Sequence, residues 1–194
     1  MHQQLLFASS NLHKLDEIRL MLPEGCHLLG LHDTPLTEEI PEPFDSFAAN
    51  AIAKTSFVYN RTGLPCFADD SGLEIDALEG RPGVFSARYA GEHKSSEDNL
   101  RKVLHELEDM PRRTARFIAV IAYQPNEKQS YLFEGKVEGT IGLTPSGTAG
   151  FGYDPIFIPS GFHQSFAELP AHIKNRISHR AKAMQKFIHF LKSN

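Results

Sequence analysis

Apolar and polar positions fall into blocks along this 194-residue chain that read alternately as strands and helices. Gln4-Leu5-Leu6-Phe7-Ala8 is a short apolar run stopped by Ser9-Ser10-Asn11, after which Leu12, Leu15, Ile18 and Leu22 recur at helical spacing up to Pro23. This predicts a strand, a polar loop and a helix. Asp45 or Ser46 can cap a second helix with Phe47, Ala51 and Val58 on its inner stripe, Asn50 and Lys54 one turn apart beside it, and an end near Asn60-Arg61-Thr62-Gly63. Pro65-Cys66-Phe67-Ala68 predicts another strand, which breaks into Asp69-Asp70-Ser71-Gly72 before Leu73-Glu74-Ile75 resumes an alternation. The acidic pair is therefore expected at a strand end.

Farther along, Gly80-Arg81-Pro82-Gly83 reads as a loop, and Ser95 with Asp98 reads as a capping box. The helix it opens carries Leu100, Val103, Leu104 and Leu107 and is closed by Pro111. Arg116 to Tyr123 is apolar on both alternating faces, as in a strand covered on both sides. Gln124-Pro125-Asn126-Glu127 predicts the turn into an antiparallel partner from about Ser130 to Gly139. Gly142 to Pro155 is rich in Gly, Thr and Ser, Ile156-Phe157-Ile158 is short and apolar, and Met184, Phe187, Ile188 and Leu191 mark a terminal helix with Ser178 as its N-cap. No repeat and no linker divides the chain, so the expectation is a single α/β domain over residues 1–194 with a mixed sheet.

Composition narrows the function classes. With 41% hydrophobic and 23% charged residues, 14 Gly and 12 Pro, the chain is ordinary globular material that can bury roughly 70% of its unfolded surface. A net charge of −4 and the lack of any long Lys/Arg run argue against a general nucleic-acid partner. The longest apolar stretch, Phe117 to Tyr123, falls far short of the roughly 18–20 residues that span a bilayer. Gln3 and Gln4 replace the cationic start of a signal peptide and His13-Lys14 follow closely, so the expectation is a cytoplasmic protein with no membrane partner. Cys26 and Cys66 form no C-x-x-C, and the ten histidines no H-E-x-x-H.

Four segments carry candidate chemistry. Ser9-Ser10-Asn11-Leu12-His13-Lys14 brings hydroxyls, free helix N-terminal amides and a lysine to one point, an arrangement suited to a phosphate; Ser and Asn also suit plain helix capping. Glu38, Glu39 and Glu42, with Asp69 and Asp70, supply the hard oxygens that Mg²⁺ on a substrate phosphate requires, although solvated loop charge is the plainer reading of Glu38 and Glu39. Neighbouring side chains on a strand face opposite ways, so Asp69 and Asp70 are expected to do different jobs, one of them holding metal or activating water; an Asx-turn is the plainer reading. Gly150-Phe151-Gly152-Tyr153-Asp154-Pro155 offers close backbone approach, a stacking face and an acceptor for a base, or simply a turn with core aromatics. Lys174 and Ser178-His179-Arg180 put cations near the last helix, as phosphate ligands or as surface charge, and Lys54 is either a further ligand or a snorkelling side chain. Taken together the segments describe a nucleoside triphosphate pocket.

These residues resemble the inosine triphosphate pyrophosphatase family, the house-cleaning enzymes of non-canonical purine nucleotides. The resemblance runs from Phe7 almost to the C-terminus. It rests on Ser9–Lys14 as [ST]-x-N-x-x-K, Phe47–Lys54 as F-x-x-N-A-x-x-K, Ala68–Leu73 as A-D-D-S-G-L, and the blocks Pro82–Gly91, Gly150–Phe157, Phe166–Leu169 and Ser178-His179-Arg180. It implies Mg²⁺-dependent hydrolysis of dITP, ITP or XTP at the α–β linkage to a monophosphate and pyrophosphate, on an elongated mixed sheet with flanking helices and two lobes around a central nucleotide cleft, usually as a homodimer. Asp70 then resembles the general base, with Glu42, Asp69 and Asp70 around the metal. Ser9, Ser10, Asn11, Leu12, His13, Lys14, Lys54 and Ser71 look like triphosphate contacts, and Phe151, Gly152, Tyr153, Asp154, Lys174, His179 and Arg180 like base and nucleotide contacts. Three positions depart from the pattern: Ala49 where many relatives carry Glu, Ala181 where Gly is usual, and Ser10 where Gly is common.

Two competing readings keep the pocket but change its use: a regulatory module that binds without turnover, and a phosphatase with an Asp nucleophile that would release terminal phosphate. A serine hydrolase on Ser71 lacks G-x-S-x-G, and a zinc deaminase lacks a second cysteine after Pro65-Cys66.

Overall fold

A computed structural model describes residues 3–23 and 25–193. Among the described residues six strands and five α-helices follow one another as β1 (Gln3–Phe7), α1 (Leu12–Arg19), β2 (Cys26–Leu29), α2 (Phe47–Thr62), β3 (Cys66–Ile75), α3 (Ser96–Glu106), β4 (Thr114–Asn126), β5 (Gln129–Ile141), β6 (Phe157–Pro159), α4 (Ala171–Ile177) and α5 (His179–Ser193). The strands make one sheet in the order β2-β1-β3-β4-β5-β6. β1 runs parallel to β2 and β3, whereas β5 pairs antiparallel with β6, so the expected mixed α/β sheet is present.

The chain groups into two compact units: residues 1–70, 119–135 and 180–194, and residues 71–118 and 136–179. In the first, strand periodicity sorts side chains to two cores. Leu5, Phe7 and Phe67 pack with Leu15 and Ile18 of α1 and with Ala183, Met184 and Phe187 of α5. Leu6, Ala8, Cys66 and Ala68 turn to the other face and meet Val58 of α2. Phe67 stands 5.0 Å from Phe7 and 5.1 Å from Phe187, centroid to centroid, the tilted spacing aromatic rings prefer. In the second unit Leu73 and Ile75 pack with Leu100 and Val103 of α3, with Leu107 just past its end, and with Tyr153, Phe157 and Phe166.

Several helix boundaries follow local chemistry. Asn11 accepts from the Lys14 amide at 3.1 Å, Ser46 from Ala49 at 3.3 Å and Ser95 from Asp98 at 3.2 Å, each satisfying an orphan donor of a first turn. Gly63 ends α2 at φ +67°, the left-handed cap that glycine adopts without steric cost.

The structure corrects five local expectations. β3 does not break at the acidic pair: it runs unbroken through Asp69-Asp70-Ser71-Gly72, which removes the Asx-turn reading and puts the carboxylates mid-strand. Charge pairing from three lysine and arginine side chains overrides the low strand propensity of aspartate here. Leu12 is 64% exposed and lies off the inner stripe of α1, which stops at Arg19 before Leu22. β4 continues through Gln124 and Pro125 to Asn126, so the hairpin turns on Glu127-Lys128. Helix α3 ends at Glu106, ahead of Pro111. Two elements, β2 and α4, are additions to the predicted set: Cys26–Leu29 is too short to show a period, and α4 packs seven residues directly before α5. Among the described residues no helix is long and apolar enough to cross a membrane.

Candidate active site

Alternation along β3 decides the first cluster. Phe67 belongs to the core under α1 and α5, and Ala68 to the core under α2. Asp69 must therefore face α1 and α5, and Asp70 must face α2. Both are buried. Asp69 Oδ2 lies 2.8 Å from Lys14 Nζ of α1 and 3.1 Å from Arg180 Nη2 of α5, whose other terminal nitrogen meets Glu17. Asp70 Oδ1 lies 2.7 Å from Lys54 Nζ of α2, and the same ammonium is 2.5 Å from Glu42 Oε1. Lys14 and Lys54 also converge, each at 3.4 Å, on the Asp69 carbonyl oxygen. Neither aspartate is tied into a turn.

The loop before Lys14 is set by its own polar atoms. Ala8 donates to the Phe67 carbonyl at 2.8 Å and ends the pairing of β1 with β3, and Ser9 Oγ accepts from the Asn11 amide at 3.2 Å. Ser10, Asn11, Leu12 and His13 are exposed at the start of α1. The free first-turn amides of a helix are a ready anion site, and Lys14 adds charge to it. Asn50 is the residue whose role the sequence left open. Buried on α2, it accepts from the Phe44 amide at 2.9 Å and donates to the Phe44 carbonyl at 3.0 Å, which fixes the segment that presents Glu42.

Electrostatics distinguish the charged groups. Burial pushes the Asp70 carboxyl above the ordinary aspartate range, although Lys54 and Lys14 pull it back. Burial alone would lower Lys54, but the carboxylates of Asp70 and Glu42 outweigh it and raise its pKa, so the ammonium stays charged. Burial lowers Lys14, with Asp69 opposing, and Arg180 is held firmly charged because Asp69 and Glu17 outweigh its burial.

Asp70 Oδ2 is buried and makes no hydrogen bond. A buried carboxylate oxygen in that state is costly unless a cation or a substrate proton meets it. Among the described residues no three His, Cys, Asp or Glu side chains gather as a closed metal site. Glu42 and Asp70, brought together on Lys54, are the carboxylate pair on offer. Mg²⁺ is bound in this way, by one or two carboxylates with water and substrate phosphate completing its shell, so the residues present fit it.

The second unit holds the other predicted residues. Asp154 is buried and its Oδ2 accepts from the Phe151 amide at 2.9 Å and from Lys174 Nζ at 2.6 Å. The Lys174 ammonium stands 5.3 Å from the centre of the Phe151 ring, within cation–π range. Gly150 has to be glycine: φ is +76°, and a Cβ there would stand 2.1 Å from Asp154 Oδ2. Tyr153 donates to the Ser86 carbonyl at 2.8 Å. His179 is buried and stacks on Phe117 at 4.7 Å and 10°, while Ser71 follows Asp70 on β3. Cationic side chains at Lys174 and Arg180 are thus buried ion-pair members, not surface charge.

Sequence reasoning passed over Glu17, Phe117 and Ser86. Glu17 shares a helix face with Lys14 three residues earlier, which was a legible signal. Ser86 lies in the motif block Pro82–Gly91, but neither its contact nor that of Phe117 is legible locally, since each acts through a partner distant in the chain.

A model of the Ham1 family matches residues 5–190. The chain belongs to the Ham1 family. Two Ham1 relatives described as dITP/XTP pyrophosphatases stand near it: that of Flavobacterium johnsoniae is 50% identical over 188 residues, 97% of either chain, and that of Porphyromonas gingivalis 48% over 190 residues, again 97% of each. A solved Ham1 protein from Coxiella burnetii is 38% identical, covers 99% of this chain and 100% of its own, and superposes with a TM-score of 0.91. The family resemblance read from the motif blocks is thereby established, and the Ham1 fold carries the same α/β mixed sheet.

Proposed function

We propose that this protein hydrolyses dITP, ITP and XTP at the α–β phosphoanhydride, with Mg²⁺, to the monophosphate and pyrophosphate. The observation that carries the reading is the Asp70 carboxylate, with Oδ1 on Lys54 and Oδ2 buried and without a hydrogen bond. Near relatives described as dITP/XTP pyrophosphatases support the substrate class.

In this reading the first-turn amides of α1, Ser9 Oγ and Lys14 take phosphate oxygens, and Lys54 contributes a second cation. Asp70 orients water and accepts its proton, with Lys54 fixing one oxygen of the carboxylate and the other left without a hydrogen bond. Asp70 and Glu42 would hold Mg²⁺, which when bound would supply charge neutralisation for the leaving pyrophosphate. Asp69 keeps Lys14 and Arg180 in place. Phe151 offers the base a stacking face, and Lys174 and backbone N–H groups donate to a 6-oxo purine. The 6-amino group of adenine would meet donors with a donor, and that unpaired group disfavours ATP.

We further propose that it works in the cytoplasm on free nucleotides, as a homodimer and without a nucleic-acid partner. Light scattering of the purified protein tests the dimer. The reaction is tested by incubation with Mg²⁺ and ITP, XTP or ATP, with pyrophosphate and phosphate assayed separately. Monophosphate plus pyrophosphate from the oxo-purines, with little from ATP, is the expected result. Diphosphate plus phosphate would overturn it.

A further inference from the structure

The block Pro82–Gly91 supplies none of the residues assigned so far to phosphate, metal or base, yet it is anchored by buried polar atoms and bonded to one of those residues, Tyr153. Asn99 of α3 is buried, donates to the Ala87 carbonyl at 3.0 Å and accepts from the Ala90 amide at 2.6 Å. Lys102 donates to the Tyr89 carbonyl at 2.9 Å. Ser86 is the hub. Its hydroxyl accepts from the Leu73 amide of β3 at 2.9 Å and donates to the Gly83 carbonyl at 2.6 Å, so both its donor and an acceptor site are used. Its carbonyl accepts from the Tyr153 hydroxyl at 2.8 Å, a buried bond between residues far apart in the chain.

These bonds lead to a predicted triphosphate contact on one side and to the predicted base contacts on the other. Leu73 stands two residues after Ser71 on β3, and Tyr153 stands between Gly152 and Asp154. The Tyr153 ring is itself buried in the core, so its hydroxyl has one fixed direction in which to donate. We propose that Ser86 is a positioning residue for base recognition: through its bond to Tyr153 it holds the Phe151–Asp154 loop in the register that reads a 6-oxo purine, while its hydroxyl fixes its own turn between Leu73 and Gly83. This rests on the nucleotide reading above, though not on which bond is cleaved. Burial keeps the Tyr153 phenol above its ordinary range, so it remains a donor across the working pH.

The test compares Ser86→Ala, Tyr153→Phe and the double variant for binding of ITP and of inorganic tripolyphosphate, by calorimetry in EDTA so that no turnover intervenes, with thermal melts alongside. Tyr153→Phe keeps the ring and removes only the hydroxyl, so it reports even if Ser86→Ala folds poorly. Tyr153→Phe is expected to weaken ITP about 10-fold, as loss of one buried hydrogen bond does, and Ser86→Ala, which removes the two bonds of its hydroxyl, by at least as much, with tripolyphosphate left within about 2-fold because Ser71 stays within the unbroken strand β3. Because the two residues act as one unit, the double variant should lose no more than the larger single loss. ITP binding unchanged in Tyr153→Phe, equal losses for both ligands, or losses that multiply in the double variant would each overturn the proposal. Wild-type protein that binds ITP no tighter than tripolyphosphate would overturn it too. Wild-type protein that prefers ITP but releases no pyrophosphate would sink the reaction and leave this inference to stand on the variants.

Discussion

The Lys54 ammonium sits 2.7 Å from Asp70 Oδ1, while Oδ2 of the same carboxylate is buried without a hydrogen bond. One oxygen is thereby committed to holding the group still and the other is left for chemistry. Replacing Asp70 by Asn keeps the shape and removes the base. Turnover of ITP in Asp70→Asn should fall about 10²–10⁴-fold, the usual worth of a general base, with nucleotide affinity changed far less. Parallel kcat and ITP-binding measurements check this, and an active Asp70→Asn protein would refute the assignment of the base.

The pH dependence has a definite sign. Burial raises the Asp70 pKa above the ordinary aspartate range in the metal-free protein, a cation on the same carboxylate would lower it, and a base must be deprotonated to act, so kcat/KM should rise with pH through a limb that moves down as Mg²⁺ is raised. Lys54 opposes the effect of burial, so Lys54→Met should move the limb to higher pH while also raising KM. A limb that stays put in Lys54→Met would show that another group controls it.

Much of this was readable in the chain, for reasons that differ by residue. Asn11, Ser46 and Ser95 act within one helical turn, so spacing alone found them. The opposite facing of Asp69 and Asp70 needed only the two-residue period of a strand. What defeated local reading was tertiary: β3 stays extended through four polar and glycine positions because Lys14, Lys54 and Arg180 arrive from α1, α2 and α5 to neutralise it. Ser86 and Phe117 were invisible for the same reason, their partners lying far away in sequence.

Gly150→Ala tests the base-side cluster by sterics. The new methyl would meet the Asp154 carboxylate in a backbone held at φ +76°, and Asp154 cannot move without releasing the Phe151 amide and Lys174. A loss of about 1–3 kcal/mol in stability and a higher KM for ITP are expected, with kcat less affected. Denaturant melts and steady-state kinetics read both.

The two cysteines should part company in a thiol assay. Cys66 is fully buried, donates to the Thr55 carbonyl at 3.3 Å, and burial pushes its thiol up to about 12, whereas Cys26 is partly exposed. A disulfide reagent at neutral pH should titrate one thiol in native protein and the second only in guanidinium, because the thiolate is the reactive form. Two fast thiols in native protein would contradict the packing around Cys66.

Asn50 links a helix interior to the segment that carries Glu42, the proposed metal ligand. Its amide clasps both backbone groups of Phe44, two residues beyond Glu42. Asn50→Ala would strand the Phe44 amide and carbonyl and free the segment, at a cost of about 1–3 kcal/mol. Glu42 would then spend less time beside Asp70, so half-maximal activity should need several-fold more Mg²⁺ while kcat at saturating Mg²⁺ stays near wild type. Glu42→Gln should show the same rise in Mg²⁺ requirement without the loss of stability. If Asn50→Ala loses stability yet keeps its Mg²⁺ dependence, Asn50 serves the fold alone and Glu42 is held by Lys54.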